Sequence, residues 1–339
     1  MTVPVDRSAA LERALHEAFA LDLAAEERRI AQRMVEFLRA LKRRGLVVAI
    51  SGGIDSSVSA ALAVRAVGSG RVFGLLMPET DSSTGSLERG RALAEHLGME
   101  YAVENIAPTL EAIGCYRWRD EAIRTLFPDY GPGWRNKIAI SGGLEGRVNH
   151  FNLVVETPEG ERREARLPLP QYLQIVAATN FKQRIRKTLE YFHADRLNYA
   201  VVGTPNRAEY DQGFFVKNGD GSADMKPIAH LYKVQVYAMA RHLGLPDEIC
   251  TAKPTTDTYS LPQSQDEFYY ALPHREMDLA LHFRSQGRPA EALASVLGVE
   301  VSVAENVYRD IDNKRRTTES LHWPPLLVEP SGRPSGPPA

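Results

Sequence analysis

Residues 46–57 read Leu-Val-Val-Ala-Ile-Ser-Gly-Gly-Ile-Asp-Ser-Ser, which joins an apolar run to a turn with two glycines and the start of a helix. The apolar run predicts a short buried strand, because such runs bounded by turn residues are typical of parallel sheets. Small and apolar residues over 55–67 predict a buried helix directly after the turn. A strand followed at once by a helix is the repeating unit of α/β folds.

The same alternation continues along the chain. Further apolar strands are predicted at 72–77, 100–103 and 199–202, and helices at 8–44, 87–97, 181–196 and 231–243. Parallel strands need crossover connections, and helices at this rhythm supply them. We therefore predict an α/β fold of Rossmann-like type, with a parallel sheet and helices on both of its faces.

Segment 115–170 interrupts this alternation. Residues 151–155 and 161–167 flank a Thr-Pro-Glu-Gly turn and predict a β-hairpin insertion rather than a separate domain. Residues 139–143 repeat the Ser-Gly-Gly string, but no predicted strand precedes them and no apolar helix follows. We interpret that copy as a turn.

The predicted elements divide the chain into four parts. N-terminal helices occupy 1–44, the α/β domain with its insertion occupies 45–285, a helical segment occupies 286–328, and a tail occupies 329–339. The tail is rich in Pro, Gly and Ser, and we expect it to be disordered.

Composition excludes several classes of protein. A formal net charge of −2 argues against a general nucleic-acid binder, which usually carries a basic excess. No apolar run reaches transmembrane length, and the N-terminus lacks the apolar core of a signal peptide. Two widely separated cysteines indicate neither a disulfide framework nor a zinc site, so we expect a cytoplasmic protein with no membrane partner.

The turn after the first strand has the properties of a phosphate site. Gly52 and Gly53 allow the backbone N–H groups to approach a ligand, and the helix beyond them adds unpaired N–H donors and a positive dipole end. Hydroxyls come from Ser51, Ser56 and Ser57. The string is neither a Walker A loop nor a Rossmann fingerprint, and an ordinary capped turn is the alternative. A carboxylate at Asp55, placed to hold a metal ion against phosphates, favours the phosphate interpretation.

Residues 51–57 resemble the pyrophosphate loop of the N-type ATP pyrophosphatases, whose fold is the adenine nucleotide alpha hydrolase type. Further blocks resemble the NAD synthetase family within that group. These blocks are Met77 with its neighbours over 76–88, Asn-x-x-x-Arg-x-Arg at 180–186, Gly-Thr-x-Asn-x-x-Glu at 203–209, Phe-x-x-Lys-x-Gly-Asp-Gly-x-x-Asp at 214–224, and Pro-Thr-Thr-Asp at 254–257. The resemblance covers about residues 30–115 and 171–285.

The resemblance implies that ATP adenylates a carboxylate, releasing pyrophosphate, and that ammonia then displaces AMP. ATP and pyrophosphate would contact Ser51, Gly52, Gly53, Asp55, Ser56, Ser57, Met77, Thr204, Lys233 and Thr255. The acid substrate would contact Asn180, Arg184, Arg186, Tyr191, Lys217, Asp220 and Asp224. Magnesium would be held by Asp55 and Glu209, and the catalytic residues would be Asp55, Lys233, Asp220 and Asp224.

The resemblance also implies nicotinic acid adenine dinucleotide as the acid and a homodimer as the assembly. Few residues precede the loop, so we expect free ammonia or a separate glutaminase as the nitrogen source. The insertion, and Glu79-Thr80-Asp81 where the family has an arginine, leave open a related amide ligase for another acid. A non-catalytic nucleotide-binding protein ranks last, because Asp55, Glu209 and Lys233 are all present.

Overall fold

The computed structural model describes residues 7–141, 150–252, 259–262, 269–270 and 272–329. In these residues the helices are α1 Arg7–Phe19, α2 Leu23–Ala40, α3 Ile54–Val67, α4 Thr84–His96, α5 Ala107–Ile113, α6 Cys115–Arg124, α7 Leu169–Leu197, α8 Arg207–Asp211, α9 Lys233–His242, α10 Asp247–Cys250, α11 His274–Ser285, α12 Ala290–Leu297 and α13 Val301–Thr318. The strands are β1 Leu46–Ala49, β2 Val72–Leu76, β3 Glu100–Val103, β4 Arg135–Ser141, β5 His150–Glu156, β6 Arg162–Arg166 and β7 Ala200–Val202.

Four strands form the main sheet in the order β3-β2-β1-β7, and all of their pairings are parallel. In the centre of the sheet Val47 lies opposite Phe73 on one side and Val201 on the other. The chain adds strands on one side of β1 and later returns to add β7 on the other side. This reversal beside β1 is the topological switch point, where α/β sheets bind ligands.

Successive residues of β1 point to opposite faces of the sheet, and each face is covered by helices. Leu46 and Val48 belong to the core shared with α2, α3 and α9. Val47 belongs to the core shared with α6 and α7. The predicted α/β fold with helices on both faces is therefore confirmed.

The N-terminal helices predicted over 8–44 are α1 and α2, and Asp22 caps α2 by accepting a hydrogen bond from the Ala25 N–H at 2.9 Å. A later helix prediction differs from the structure in its bounds. Helix α7 begins at Leu169, well before the predicted start at 181. Pro168 at its N-cap is compatible with a helix start, because proline has no N–H to leave unpaired.

The insertion forms a small antiparallel sheet in the order β4-β5-β6. The predicted hairpin is present as β5 and β6. The interpretation of residues 139–143 as a turn is wrong for 139–141, which lie in β4, while 142 and 143 fall outside the described residues. The missed signal is the spacing of Ile138 and Ile140, which lie two residues apart between Lys137 and Ser141, as is typical of a half-buried strand. Ile138 pairs with Leu153, and both are fully buried.

Helices α1, α11, α12 and α13 share a second core. Phe19 of α1 packs in this core together with Phe283 of α11, although the two helices lie at opposite ends of the chain. We propose that these four helices form one structural unit that packs on the α/β domain through α9 and α11. Within the described residues, no helix is long and apolar enough to cross a membrane. Residues 330–339 of the tail lie outside the described residues.

Candidate active site

A cavity of about 770 Å³ opens at the carboxyl ends of β1, β2 and β7. This volume lies within the range of small-molecule binding sites. Ala49, Leu76 and Val202, at the ends of these strands, contribute to its wall. Of the predicted site residues, the wall includes Ser51, Gly52, Gly53, Asp55, Ser56, Met77, Asn180, Arg186, Thr204, Glu209, Asp220 and Lys233.

Residues 51–57, called the phosphate loop here after their predicted role, include a backbone conformation that needs glycine. Gly52 has a φ of +77°, and a Cβ atom built on it would lie 2.3 Å from the carbonyl oxygen of Ser86. Arg89 holds the same turn, because its Nε donates to the Gly52 carbonyl at 3.2 Å. Sequence reasoning missed Arg89, which also lines the cavity.

The loop hydroxyls have two different roles. The Ser51 hydroxyl lies 3.1 Å from that of Ser56 and accepts a hydrogen bond from the Gly53 N–H at 3.3 Å. Both of these serines line the cavity. Ser57 is fully buried, and its hydroxyl donates to the Gly53 carbonyl at 2.8 Å. Ser57 does not line the cavity, and its hydrogen bond stabilises the start of α3 instead.

Asp55, in the first turn of α3, forms an ion pair with Lys233, the first residue of α9. Burial alone would lower the pKa of Lys233, but attraction to Asp55 and Glu209 outweighs burial and raises that pKa above its usual range. Lys233 is therefore a fixed positive charge beside the phosphate loop at every physiological pH. The carboxylates of Asp55 and Glu209 both lie near this charge.

Asn206 links the two predicted metal ligands. Its side-chain Nδ2 donates to Asp55 Oδ1 at 3.1 Å, and its Oδ1 accepts from the backbone N–H of Glu209 at 3.2 Å. The Glu209 carboxylate accepts in turn from the Asn206 N–H at 3.1 Å. Asn206 is fully buried. The sequence motif at 203–209 contained this residue, but its bridging contact with Asp55 joins distant segments and has no local signal.

Magnesium is commonly bound by one or two carboxylates together with substrate phosphates and water. Asp55 and Glu209 both face the cavity, and within the described residues no group of three or more metal-binding side chains occurs. A pair of carboxylates beside a phosphate loop suits a magnesium ion that arrives with ATP.

The residues predicted to bind the acid divide into two groups. Asn180, Arg186 and Asp220 line the cavity, and Arg186 Nε donates to the Met77 carbonyl at 3.4 Å. Of the described residues, the cavity wall leaves out Arg184, Tyr191, Lys217 and Asp224. Thr255 lies outside the described residues.

The second group makes contacts elsewhere in the structure. Arg184 donates to the Lys217 carbonyl at 3.2 Å, and the Lys217 ammonium donates to the Ser320 carbonyl at 3.0 Å. Asp224 accepts from the N–H of Val201 at 2.7 Å. These bonds tie the loop over 214–224 to β7 and to the residues after α13.

Two buried charged residues of α7 line the cavity and were not predicted. Lys187 and Glu190 form an ion pair at 2.6 Å, one helical turn apart. Burial raises the pKa of Glu190, although Lys187 opposes this effect. The helical spacing of these residues was visible in the sequence, but their burial depends on the elements packed around α7.

The loop after β2 is fixed by a buried ionic cluster, defined here as Glu79, Asp81, Arg119 and Lys182. Lys182 of α7 lies 3.1 Å from Glu79 and 2.5 Å from Asp81. Arg119 of α6 lies 2.6 Å from Asp81. The cluster thus balances two carboxylates with two cations where the family resemblance predicts an arginine. Pro78 and Ser82, in the same loop, line the cavity.

Comparison with known proteins identifies the family. The chain matches the family described as NAD synthase over residues 27–126 and 156–319, with a gap that includes β4 and all of β5 except Glu156. It is 58% identical over 311 residues to the NH(3)-dependent NAD(+) synthetase of Rhizobium meliloti, covering 91% of this chain and 93% of that protein.

Two solved structures have the same fold. NMN synthetase from Francisella tularensis has a TM-score of 0.62 and 20% identity, covering 92% of this chain and 99% of that one. NH3-dependent NAD synthetase from Campylobacter jejuni has a TM-score of 0.59 and 22% identity, covering 91% and 100%. Because the family match and the similarity to the Rhizobium meliloti protein extend over most of its length, this chain belongs to the NAD synthase family.

Proposed function

We propose that this protein is an ammonia-dependent NAD synthetase, which converts nicotinic acid adenine dinucleotide to NAD and releases AMP and pyrophosphate. The observation that carries the proposal is the Lys233–Asp55 pair beside the glycine loop, facing a cavity at the switch point of the sheet. The relative from Rhizobium meliloti, which is named NH(3)-dependent NAD(+) synthetase, supports the proposal.

In the first step a carboxylate oxygen of the acid bonds to the α-phosphorus of ATP. The bond between that phosphorus and the bridging oxygen to the β-phosphate breaks, and pyrophosphate leaves. Positioning and charge neutralisation supply most of the catalysis in such transfers. The Lys233 ammonium and the N–H groups at the start of α3 support this role, because they present fixed positive charge to the departing phosphates.

In the second step ammonia attacks the carbonyl carbon of the adenylate, AMP leaves, and the nitrogen loses a proton. The carboxylates of Asp220 and Glu190 line the cavity and could accept that proton. Burial raises the pKa of both carboxyl groups, which makes either one a better base than an ordinary carboxylate.

We also propose that Asp55 and Glu209 hold magnesium. The ion would neutralise negative charge on the ATP phosphates. Replacement Asp55→Asn keeps a polar side chain of the same size but removes the anionic ligand. We expect turnover to fall by about 100-fold or more at low magnesium, since a lost metal contact weakens transition-state charge stabilisation by several kcal/mol. Unchanged magnesium dependence in the folded variant would refute the assignment.

The test of the reaction is AMP formation with ATP, ammonium and a panel of acids. Nicotinic acid adenine dinucleotide should give AMP and NAD in equal amounts, and glutamine should not replace ammonium in the purified protein. The mononucleotide of nicotinic acid and unrelated carboxylic acids serve as comparisons. If another acid gives AMP and the dinucleotide gives none, the protein is a related amide ligase with a different substrate.

A homodimer is the assembly we propose. Helix α7 exposes Leu169, Leu173 and Phe192, with exposures of 67%, 55% and 58%, and large apolar side chains on one helix favour contact with a partner. We expect light scattering to give twice the mass of one chain at micromolar concentration. Leu173→Lys should shift the mass toward that of a monomer, while Val328→Lys, at a residue exposed beyond α13, should not. A monomeric wild-type protein would contradict the proposal.

We further propose that ammonia arrives free or from a separate glutaminase. The name of the related protein, NH(3)-dependent NAD(+) synthetase, supports ammonia as the nitrogen source. A cytoplasmic location is supported by Cys115 and Cys250, which are both buried free thiols, as expected in a reducing compartment.

A further inference from the structure

Asp278 is a buried carboxylate that faces the start of α9. It lies on α11, far from the phosphate loop in sequence, and is 1% exposed. Its Oδ2 accepts a hydrogen bond from the Val234 N–H at 2.8 Å, and the Lys233 N–H faces the same carboxylate. A buried carboxylate in a mostly apolar helix core is expensive unless its contacts compensate for lost hydration.

These two N–H groups belong to the first turn of α9, where a helix has no internal acceptors. A Ser, Thr, Asp or Asn at the N-cap usually supplies the missing oxygen. In α9 the N-cap is Tyr232, which has no short oxygen-bearing side chain. Gln235 accepts from the Tyr232 N–H at 3.1 Å, whereas the acceptor for the Val234 N–H is supplied by Asp278 from another helix.

The residue held by this contact is Lys233, which is both the first residue of α9 and the partner of Asp55. A side chain is held in a single position only if the backbone that carries it is also fixed. A shift of a catalytic group by about 1 Å can reduce the rate of the reaction by about 100-fold. We propose that Asp278 is a positioning residue, which fixes the start of α9 and so places the Lys233 ammonium at the phosphate loop.

This role joins the two units of the molecule. Asp278 is surrounded by the core of α1, α11, α12 and α13, whereas Lys233 points into the α/β domain. Burial raises the pKa of Asp278, with backbone N–H groups of α9 and the charge of Lys233 opposing the shift and Asp55 adding to it. The inference rests on the proposed contact of Lys233 with the phosphates of ATP.

The experiment measures ATP binding by calorimetry without the acid substrate, so it does not depend on turnover. Asp278→Asn keeps one acceptor atom and removes the carboxylate; we expect the Kd for ATP to rise about tenfold. In a Lys233→Met background the same change should alter the Kd by less than about twofold, because the two residues act through one contact. The KM for the acid should stay within about twofold of wild type.

Asp312→Asn is the matched control. Asp312 of α13 pairs with Arg284 of α11 at 2.6 Å, so its loss disturbs the same helix without touching α9. Its ATP affinity should be that of wild type. If Asp278→Asn fails to fold, Asp278→Ser provides a second variant, which keeps a short oxygen acceptor but shortens the side chain and removes its charge. It should weaken ATP binding in the same direction.

The outcomes separate the inference from the proposed function. Additive effects of Asp278→Asn and Lys233→Met, or a normal Kd for folded Asp278→Asn or Asp278→Ser, would overturn the positioning role. A Lys233→Met protein that binds and turns over ATP normally would instead overturn the assignment of Lys233 to the phosphates.

Discussion

At Gly52 the backbone turns with a φ of +77° directly before the helix that faces the cavity. A side chain there would meet the backbone of Ser86, which belongs to α4 and cannot move like a flexible side chain. Glycine is therefore required at position 52 for two reasons, the positive φ angle and the close approach of the Ser86 backbone. Displacing this turn would move the N–H groups that we assign to pyrophosphate.

Gly52→Ala should lower the free energy of unfolding by about 1–3 kcal/mol, because both the strained angle and the close contact are unfavourable. Turnover should fall more than stability explains, since the loop donors move. Gly70→Ala is the control, because a Cβ atom there meets no atom within 4 Å. Chemical denaturation and steady-state kinetics measure the two effects. Equal, small effects of both variants would show that the loop tolerates a side chain.

Asp278 predicts a pH dependence of stability. Burial raises its pKa to about 7 in the folded protein, against about 3.9 in an unfolded chain. Between these values the folded state binds more protons than the unfolded state, so the free energy of unfolding decreases as pH rises from about 4 to about 7. Its contribution is fully present below pH 4 and lost above pH 7.

Asp278→Asn removes this ionisation. Relative to wild type, the melting temperature of the variant should therefore increase as pH is raised from about 5 to about 8. Thermal melts of both proteins across this range provide the measurement. A difference in melting temperature that does not change with pH would mean that Asp278 is ionised throughout.

At the scale of elements, the ionic cluster of Glu79, Asp81, Arg119 and Lys182 joins α6, α7 and the loop after β2. Glu79 is completely buried, and Tyr116 of α6 donates a 2.8 Å hydrogen bond to it. Buried pairs of this kind contribute little net stability when intact, but removal of one partner leaves an uncompensated charge. The cluster sets where this loop meets the cavity.

Lys182→Met should destabilise the fold by about 3–5 kcal/mol, because it leaves buried carboxylates with Arg119 as their remaining cation. Urea denaturation measures the change. Arg33→Met removes an exposed pair with Glu36 on α2 and should change stability by less than about 1 kcal/mol. Similar losses in the two variants would indicate that the cluster is hydrated rather than buried.

The sequence predicted those elements whose periodicity is local. Strands β1, β2 and β7 are buried on both faces, so their apolar runs were visible without tertiary information. Strand β4 was missed because it contains few large apolar residues, Ile138 and Ile140, so its alternating pattern is short. The start of α7 was missed because its first turns carry exposed Leu169 and Leu173 rather than an amphipathic pattern.

The same distinction applies to the site. The sequence was sufficient to predict Asp55, Lys233 and Glu209, because each lies at a position that resembles one in a known family. Arg89 and Asp278 act through contacts with residues more than 30 positions away, and no local pattern marks such contacts. A charged residue within a helix is ordinarily predicted to face solvent, which is wrong for Asp278.

For the whole molecule, the cavity wall is built from three regions. The α/β domain supplies the phosphate loop, the inserted sheet supplies Ile140 and Phe151, and α13 supplies Lys314 and Thr318. The Phe151 ring stacks on Tyr172 of α7 at 4.4 Å between ring centres. The inserted sheet falls largely outside the stretches matched to the family, yet it closes one side of the site. Residues from all three regions therefore line the cavity in which we propose that the substrates bind.

The central claim is that the protein adenylates the carboxylate of nicotinic acid adenine dinucleotide and then transfers ammonia to it. The most direct measurement uses this acid with heavy oxygen in its carboxylate, together with heavy-nitrogen ammonium, and analyses the products by mass spectrometry. We predict one heavy oxygen in AMP, none in pyrophosphate, and one heavy nitrogen in the amide of NAD. Heavy oxygen in inorganic phosphate, or AMP formation without NAD, would contradict the account.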